Sequence, residues 1–423
     1  MKTLLTVHCM TAATLIFATP VVSNVTLEKG NDGAYAINYK LSDGPAVVTL
    51  GIETNTMFDG SGAWAPMSGS TVWCVEGDVN RYVSATNGTI AWRPTGEAIP
   101  IQRVKMRAAV TAWPLDDLPP YMAVDLSEVT TQRIRYFSNR ESIPGGELDP
   151  VYRTTVLLLK RIHARGATVV LGAGKESGEL GAQDDEPLHE ASFTHDYYIG
   201  VFEFTQGQYW SIVGASPSNY SVGGAMRPAD NASYFRIREG SGNASDAEHV
   251  WPLAPAPDSV LGKLRTCSKT DQFADAGIDF DLPQEDQWEY ACRAGCGVGY
   301  WNNGKPILHT GSVVDENFPG RCRYNQSVWD NKTSDTTCGP EKCMAICGSY
   351  EPNAWGLYDM HGNLWEYCVE LFSSSGTERV RRGGAWNSAY SYCRSACRLG
   401  QAPGSPADFI GFRVYCRAGL NGD

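Results

Sequence analysis

Gly356-Leu-Tyr-Asp-Met-His-Gly-Asn-Leu-Trp-Glu-Tyr-Cys368 packs a turn, two carboxylates and large aromatics into one short window. Gly362-Asn363 favours positive φ and a tight reversal. Asp359 and Glu366 flank that reversal, so both carboxylates and the carbonyls between them can face one point. Such a loop suits a hard cation, because Ca²⁺ takes about six to eight oxygens from carboxylates and backbone carbonyls. The same residues also read as an acidic turn capped by Trp365 and Tyr358, with water on the carboxylates.

Three further segments punctuate the chain in a fixed order. Val201-Phe-Glu-Phe-Thr-Gln-Gly-Gln-Tyr-Trp210 switches from strand alternation to a helix start, with Thr205 placed to cap it and Gln208 at capping-box spacing. Leu282-Pro-Gln-Glu-Asp-Gln-Trp-Glu-Tyr-Ala-Cys-Arg-Ala-Gly295 opens a helix with acids in its first turn and Trp288 and Cys292 toward a core. Arg379-Val-Arg-Arg-Gly-Gly-Ala-Trp-Asn387 and Gly411-Phe-Arg-Val414 read as closing strands.

Together with the 356–368 stretch, these segments resemble the formylglycine-generating enzyme (sulfatase-modifying factor) family over roughly the last two-thirds of the chain. The resemblance implies an α+β, C-type-lectin-like fold over residues 151–418. Members that make formylglycine bind Cu(I) with two cysteines and use O₂ to oxidise a substrate cysteine to an aldehyde, soft sulfur being suited to that ion. Carried onto this chain, the two positions are Ser388 and Cys393, and the serine that follows Gly-Gly in those members is Ala385. A hydroxyl is a poor Cu(I) ligand, so two-coordinate binding is lost. The resemblance also makes Cys292 or Cys397 a bridge partner for Cys393. It implies a Ca²⁺ held by the Asp359 side chain, the carbonyls of Gly362 and Leu364, and Glu366, and a substrate groove with Trp365 and Trp386 at its floor beside Ala385.

The 423 residues carry a formal net charge of −12, with no run of Lys or Arg, which argues against nucleic acid or an anionic membrane as partner. Met1-Lys2 and the apolar run through Ala18 have the form of a secretory leader ending near Ser23, so the expected address is secreted, periplasmic or cell-surface. That run is too short to span a bilayer comfortably, and no later segment approaches about twenty apolar residues. Setting aside Cys9 leaves twelve cysteines, an even number that favours disulfides in an exported chain. Cys322, Cys338, Cys343 and Cys347 also read as a zinc knuckle, though without a Cys-x₂-Cys pair.

Residues 24–113 alternate in short strands, namely Ala34–Leu41, Ala46–Ile52, Thr71–Cys74, Thr89–Trp92 and Arg103–Val110, punctuated by Gly, Asn, Asp and Pro. This predicts an all-β immunoglobulin- or fibronectin-like sandwich. Lone Cys74 excludes an inter-sheet bridge within it. Residues 114–150 read as a linker with one strand, Tyr121–Leu126, and the second domain is expected to open on Thr154–Ile162. His189 and His195 read as surface residues. No phosphate loop or serine-nucleophile elbow occurs. Two functions follow: a calcium-stabilised binding module for a peptide, protein or glycan, or a formylglycine-generating oxidase with a variant site.

Overall fold

The computed structural model describes residues 19–67, 75–84, 86–94, 104–127, 133–173, 186–220, 224–240, 250–268, 279–295, 300–301, 305–306 and 343–418. The leader through residue 18, the expected strand Thr71–Cys74 and two of the four cysteines of the zinc-knuckle reading, Cys322 and Cys338, lie outside them.

Alternation of apolar and polar residues builds the first part. Along Tyr35–Ser42 every second side chain is buried, so Tyr35, Ile37, Tyr39 and Leu41 point one way and their neighbours face water. This strand lies between Val21–Lys29 and Asn87–Trp92, with Val75–Gly77 beyond. A second sheet pairs Ala46–Asn55 with Ala65–Pro66, Tyr82–Val83 and Lys105–Trp113. Ala46, Val48 and Ile52 meet the inward row of the first sheet, and Ile90 and Trp92 complete that core. Fully burying a large apolar side chain contributes about 1.5–3 kcal/mol, so this layer stabilises both sheets.

The second part is built on a six-stranded antiparallel sheet in the order Ile134–Phe137, Tyr121–Asp125, Val156–Ile162, Tyr197–Gly200, Tyr415–Arg417 and Phe280–Asp281. Two strands of the segment expected as a connector therefore form one edge of this sheet. A four-stranded sheet runs Arg398–Gln401, Arg379–Arg382, Trp365–Leu371 and Ile410–Gly411, the last pair parallel. The described helices are short: α1 (Gln206–Val213), α2 (Val260–Ser268) and α3 (Glu285–Arg293). The capping box read for α1 is present, with Thr205 Oγ1 accepting from Gln208 N at 3.2 Å and Gln208 Oε1 accepting from Thr205 N at 3.1 Å. Trp288 and Cys292 of α3 are buried, as the apolar face predicts.

The two parts share packing. Val47, on the far face of its strand, sits in one core with Met122, Leu157 and Phe412, and Tyr136 N donates to Asn80 Oδ1 at 2.9 Å.

The expectation of disulfides is corrected. Among the described residues no disulfide joins Cys267, Cys292, Cys343, Cys347, Cys368, Cys393, Cys397 and Cys416. Each serves as a small apolar filler with a local partner where one is in reach. Cys292 Sγ faces Met360 O at 3.7 Å and His361 Nε2 at 3.6 Å, and Cys393 Sγ faces Ala389 O at 4.0 Å. Burial pushes the Cys292 and Cys397 thiols up to about 12 and raises Cys393 as well.

Candidate functional site: a buried acidic loop beside the Gly-Gly turn

The turn read from Gly362-Asn363 is left-handed at Asp359 (φ 59°), Gly362 (φ 78°) and Asn363 (φ 69°). Non-glycine residues there cost about 1–2 kcal/mol each, and side-chain bonds offset that cost. Gly348 N donates to Asp359 Oδ2 at 2.7 Å, and Ala345 N donates to Asn363 Oδ1 at 2.8 Å. Glu203, just before α1, adds two more bonds. Its Oε2 accepts from Asn363 Nδ2 at 2.5 Å and its Oε1 from Leu364 N at 2.9 Å. In the sequence the segment around Glu203 reads only as a switch from strand to helix, with no role assigned to that residue. The available signal was a carboxylate set between Phe202 and Phe204, where an apolar residue would fit the strand.

Glu366 behaves differently from the free ligand expected of it. Both of its oxygens are engaged: Arg413 Nε and Nη2 donate at 3.0 and 2.8 Å, and Trp288 Nε1 donates at 2.6 Å. Arg413 also donates to Gly200 O and Tyr358 O, both at 2.8 Å. The pair has essentially no exposed surface. Glu366 thus locks α3, the turn and the closing Gly411-Phe-Arg-Val414 segment together.

Three buried carboxylates, Glu203, Asp359 and Glu366, face the guanidinium of Arg413. Burial pushes Asp359 up to about 6, with repulsion from Glu366 adding to it. Burial, then Asp359 and Glu366, hold Glu203 well above the usual carboxylate range. Donor atoms of Glu203, Cys347 and Asp359 lie within 4.8 Å of one another. A buried, acid-rich cluster of this kind fits a cation, since either a proton or a metal must compensate the buried charge. The oxygens of Glu203 and Asp359 suit Ca²⁺, whereas the Cys347 thiol does not.

Both copper positions pack against the Gly383-Gly384-Ala385 turn. Ser388 Oγ accepts from Trp365 Nε1 at 3.1 Å and from Ala385 N at 3.2 Å. Cys393 is fully buried behind Gly384, where an added Cβ would stand 2.6 Å from its Sγ. A hydroxyl held by two donors and a thiol with a raised pKa do not fit a Cu(I) pair, because the thiolate is the ligand form. In the expected groove, Trp365 and Ala385 are buried, and the Arg381 guanidinium covers the Trp365 ring at 4.8 Å. Trp386 is half-buried, edge-on to Tyr220 at 6.0 Å, and Tyr392 is 40% exposed.

Asp117, His163 and Asp196 also approach one another, but Arg161 Nε donates to Asp196 Oδ2 at 3.1 Å and supplies the cation there. His189 pairs with Asp286 and His195 with Tyr415, each at 2.9 Å.

Residues 159–418, more than half of the chain, match the model of the sulfatase-modifying factor enzyme 1-like domain. The chain belongs to that family. It is 30% identical over 159 residues to the formylglycine-generating enzyme of Streptomyces coelicolor, which covers 33% of this chain and 47% of that protein. It is also 32% identical over 147 residues to the mouse protein named inactive C-alpha-formylglycine-generating enzyme 2, covering 33% and 43%. The chain thus spans less than half of these curated relatives. Among solved structures, Treponema denticola variable protein 1 aligns with 20% identity and a TM-score of 0.45, over 62% of this chain and 96% of that one. Family membership rests on the domain match, and relatives named as enzymes and as inactive both occur. Among the described residues, no helix is long and apolar enough to cross a membrane.

Proposed function

We propose that this member of the family is an exported, calcium-stabilised binding module whose standard two-cysteine copper site is lost. The observation that carries this reading is the hydrogen-bonded Ser388 hydroxyl at one copper position, with Cys393 sealed behind Gly384 at the other. The residues that would hold Ca²⁺ are Asp359 and Glu203, with the carbonyls of Gly362 and Leu364, while Glu366 stays with Arg413. When bound, the cation supplies charge compensation and ties the turn to the end of the Tyr197–Gly200 strand region. The sandwich of residues 24–113, of immunoglobulin or fibronectin type, acts as a spacer, and half-buried Trp386 with exposed Tyr392 offers stacking surface to a peptide, protein or glycan.

Two measurements test the proposal. With Cu(I), O₂ and a Cys-x-Pro-x-Arg peptide, mass spectrometry should find no formylglycine; turnover that disappears in Cys393→Ala would make the chain a one-cysteine oxidase instead. Calcium at a hundred times its dissociation constant should stabilise the protein by about 2.7 kcal/mol. That gain should vanish in Asp359→Asn and Glu203→Gln. A gain produced by zinc and lost in Cys347→Ser would reject calcium.

A further inference from the structure

Seven Asn-x-Ser/Thr triplets run through the chain, at Asn24, Asn87, Asn219, Asn231, Asn243, Asn325 and Asn331, none with proline in the middle. The chain has 19 Asn, 31 Ser and 28 Thr in 423 residues. A Ser or Thr therefore follows two places after a given Asn about one time in seven, and chance gives about three triplets. The excess is a reason to ask which of the described ones could carry a glycan, the modification such triplets accept on exported chains.

The outer face of the first sheet answers for two. Along Tyr35–Ser42 the outward residues include Asn38 and Lys40. Lys40 pairs with Ser23 on one side and Asn87 on the other, and Asn38 pairs with Thr26 and Thr89. The row is polar and exposed. In Asn87-Gly88-Thr89 the middle residue has no side chain because the Tyr39 ring fills that place: an added Cβ would stand 2.0 Å from it. Gly88 therefore sits against the core while Asn87 and Thr89 stand out together. Asn24-Val25-Thr26 crosses the bulge between Ser23 and Thr26, with all three residues exposed and Asn24 at φ 54°. Asn231 is the counter-example. Its Nδ2 donates to Pro217 O at 2.9 Å and Asn219 Oδ1 at 3.2 Å, and its Ser233 is buried.

We propose that Asn24 and Asn87 are N-glycosylation sites, which shield the outer face of the sandwich, whereas Asn231 is left bare. The proposal rests on the export reading. In the step, Asn Nδ2 forms a bond to the anomeric carbon of a lipid-pyrophosphate-linked oligosaccharide. The bond from that carbon to the phosphate oxygen breaks, the lipid pyrophosphate leaves with the electron pair, and Nδ2 gives up one proton.

The full chain is made in a eukaryotic secretory host, once with its own first 23 residues and once behind a foreign leader, then released from glycan by peptide N-glycosidase in heavy-oxygen water. Peptide mapping should find labelled Asp at positions 24 and 87, unlabelled Asn231, and faster migration of Asn87→Gln before release. Where cleavage after Ser23 makes Asn24 the first residue, the label at 87 decides. Secreted protein with unlabelled Asn87 overturns the proposal and leaves export standing. Retention in the cytosol with the chain's own leader overturns export, and the foreign-leader arm then decides on Asn87 separately. A labelled Asn231 would show that the argument from its hydrogen-bonded amide and buried Ser233 is wrong.

Discussion

Arg413 has no exposed surface, and its guanidinium meets Glu366 twice while also binding two carbonyls. Breaking a buried pair of this kind by removing one partner costs about 3–5 kcal/mol, because the other charge stays buried without compensation. Glu366→Gln is therefore expected to lose that much in urea unfolding of calcium-free protein, and a loss under about 1 kcal/mol would remove Glu366 from its structural role. Glu203→Gln should cost clearly less under the same conditions. It keeps an acceptor for Leu364 N and deletes a charge that repels Asp359 and Glu366, which offsets the loss of the acceptor that Asn363 Nδ2 uses. The contrast separates an acid that the fold uses as an ion-pair partner from one that it holds for a cation.

At the scale of elements, α3 shows what propensity and packing each decide. It ends at Ala294, whose φ of 50° suits glycine better. Ala294→Gly should raise stability by up to about 1 kcal/mol in chemical unfolding, and a loss beyond that range would mean that the Ala294 methyl packs more usefully than its backbone strains. At the other end of α3, Glu285 N donates to Glu370 Oε2 at 3.0 Å. Burial first, and then the Glu285 carboxylate, push Glu370 up to about 8 from the ordinary 4.5. The folded state thus binds a proton more tightly than the unfolded chain, so this contribution is present at low pH and is lost as pH rises from about 4.5 to about 8. Glu370→Gln should accordingly gain on wild type in melting temperature between pH 5 and pH 9, and a constant difference would contradict the shift. Elements whose signals are local were legible in the sequence: the capped start of α1, the acid-opened α3, and the alternating strands of the sandwich. Tyr121–Asp125 is the strand read within the linker, whereas Ile134–Phe137 was not read, because a four-residue strand carries too little pattern until its partner Tyr121–Asp125 is in place beside it. Glu203 was missed for the same reason, since its partners lie about 160 residues away.

For the whole molecule, the cysteines decide between two ways of stabilising a chain of this length. Counting cysteines with an export signal points to bridges, a rule that holds best for small domains without enough core. Here one core runs from Val47 of the sandwich through Met122, Leu157 and Tyr198 to Phe412, and buried arginine–carboxylate pairs such as Arg394 with Glu186 and Arg293 with Glu289 surround it. Such a core holds the described part of the chain without covalent staples, and its thiols are packed as apolar groups. Burial also raises the pKa of Cys267, Cys292, Cys347, Cys368, Cys393, Cys397 and Cys416, which slows both oxidation and alkylation, because the thiolate is the reacting form. A thiol reagent should therefore react little with the native protein near neutral pH. After unfolding in denaturant without reductant it should titrate at least the eight described thiols. Fewer than two groups under those conditions would restore the disulfide expectation; eight or more, appearing together with the unfolding transition, would show that the same packing that stabilises the molecule also protects its cysteines.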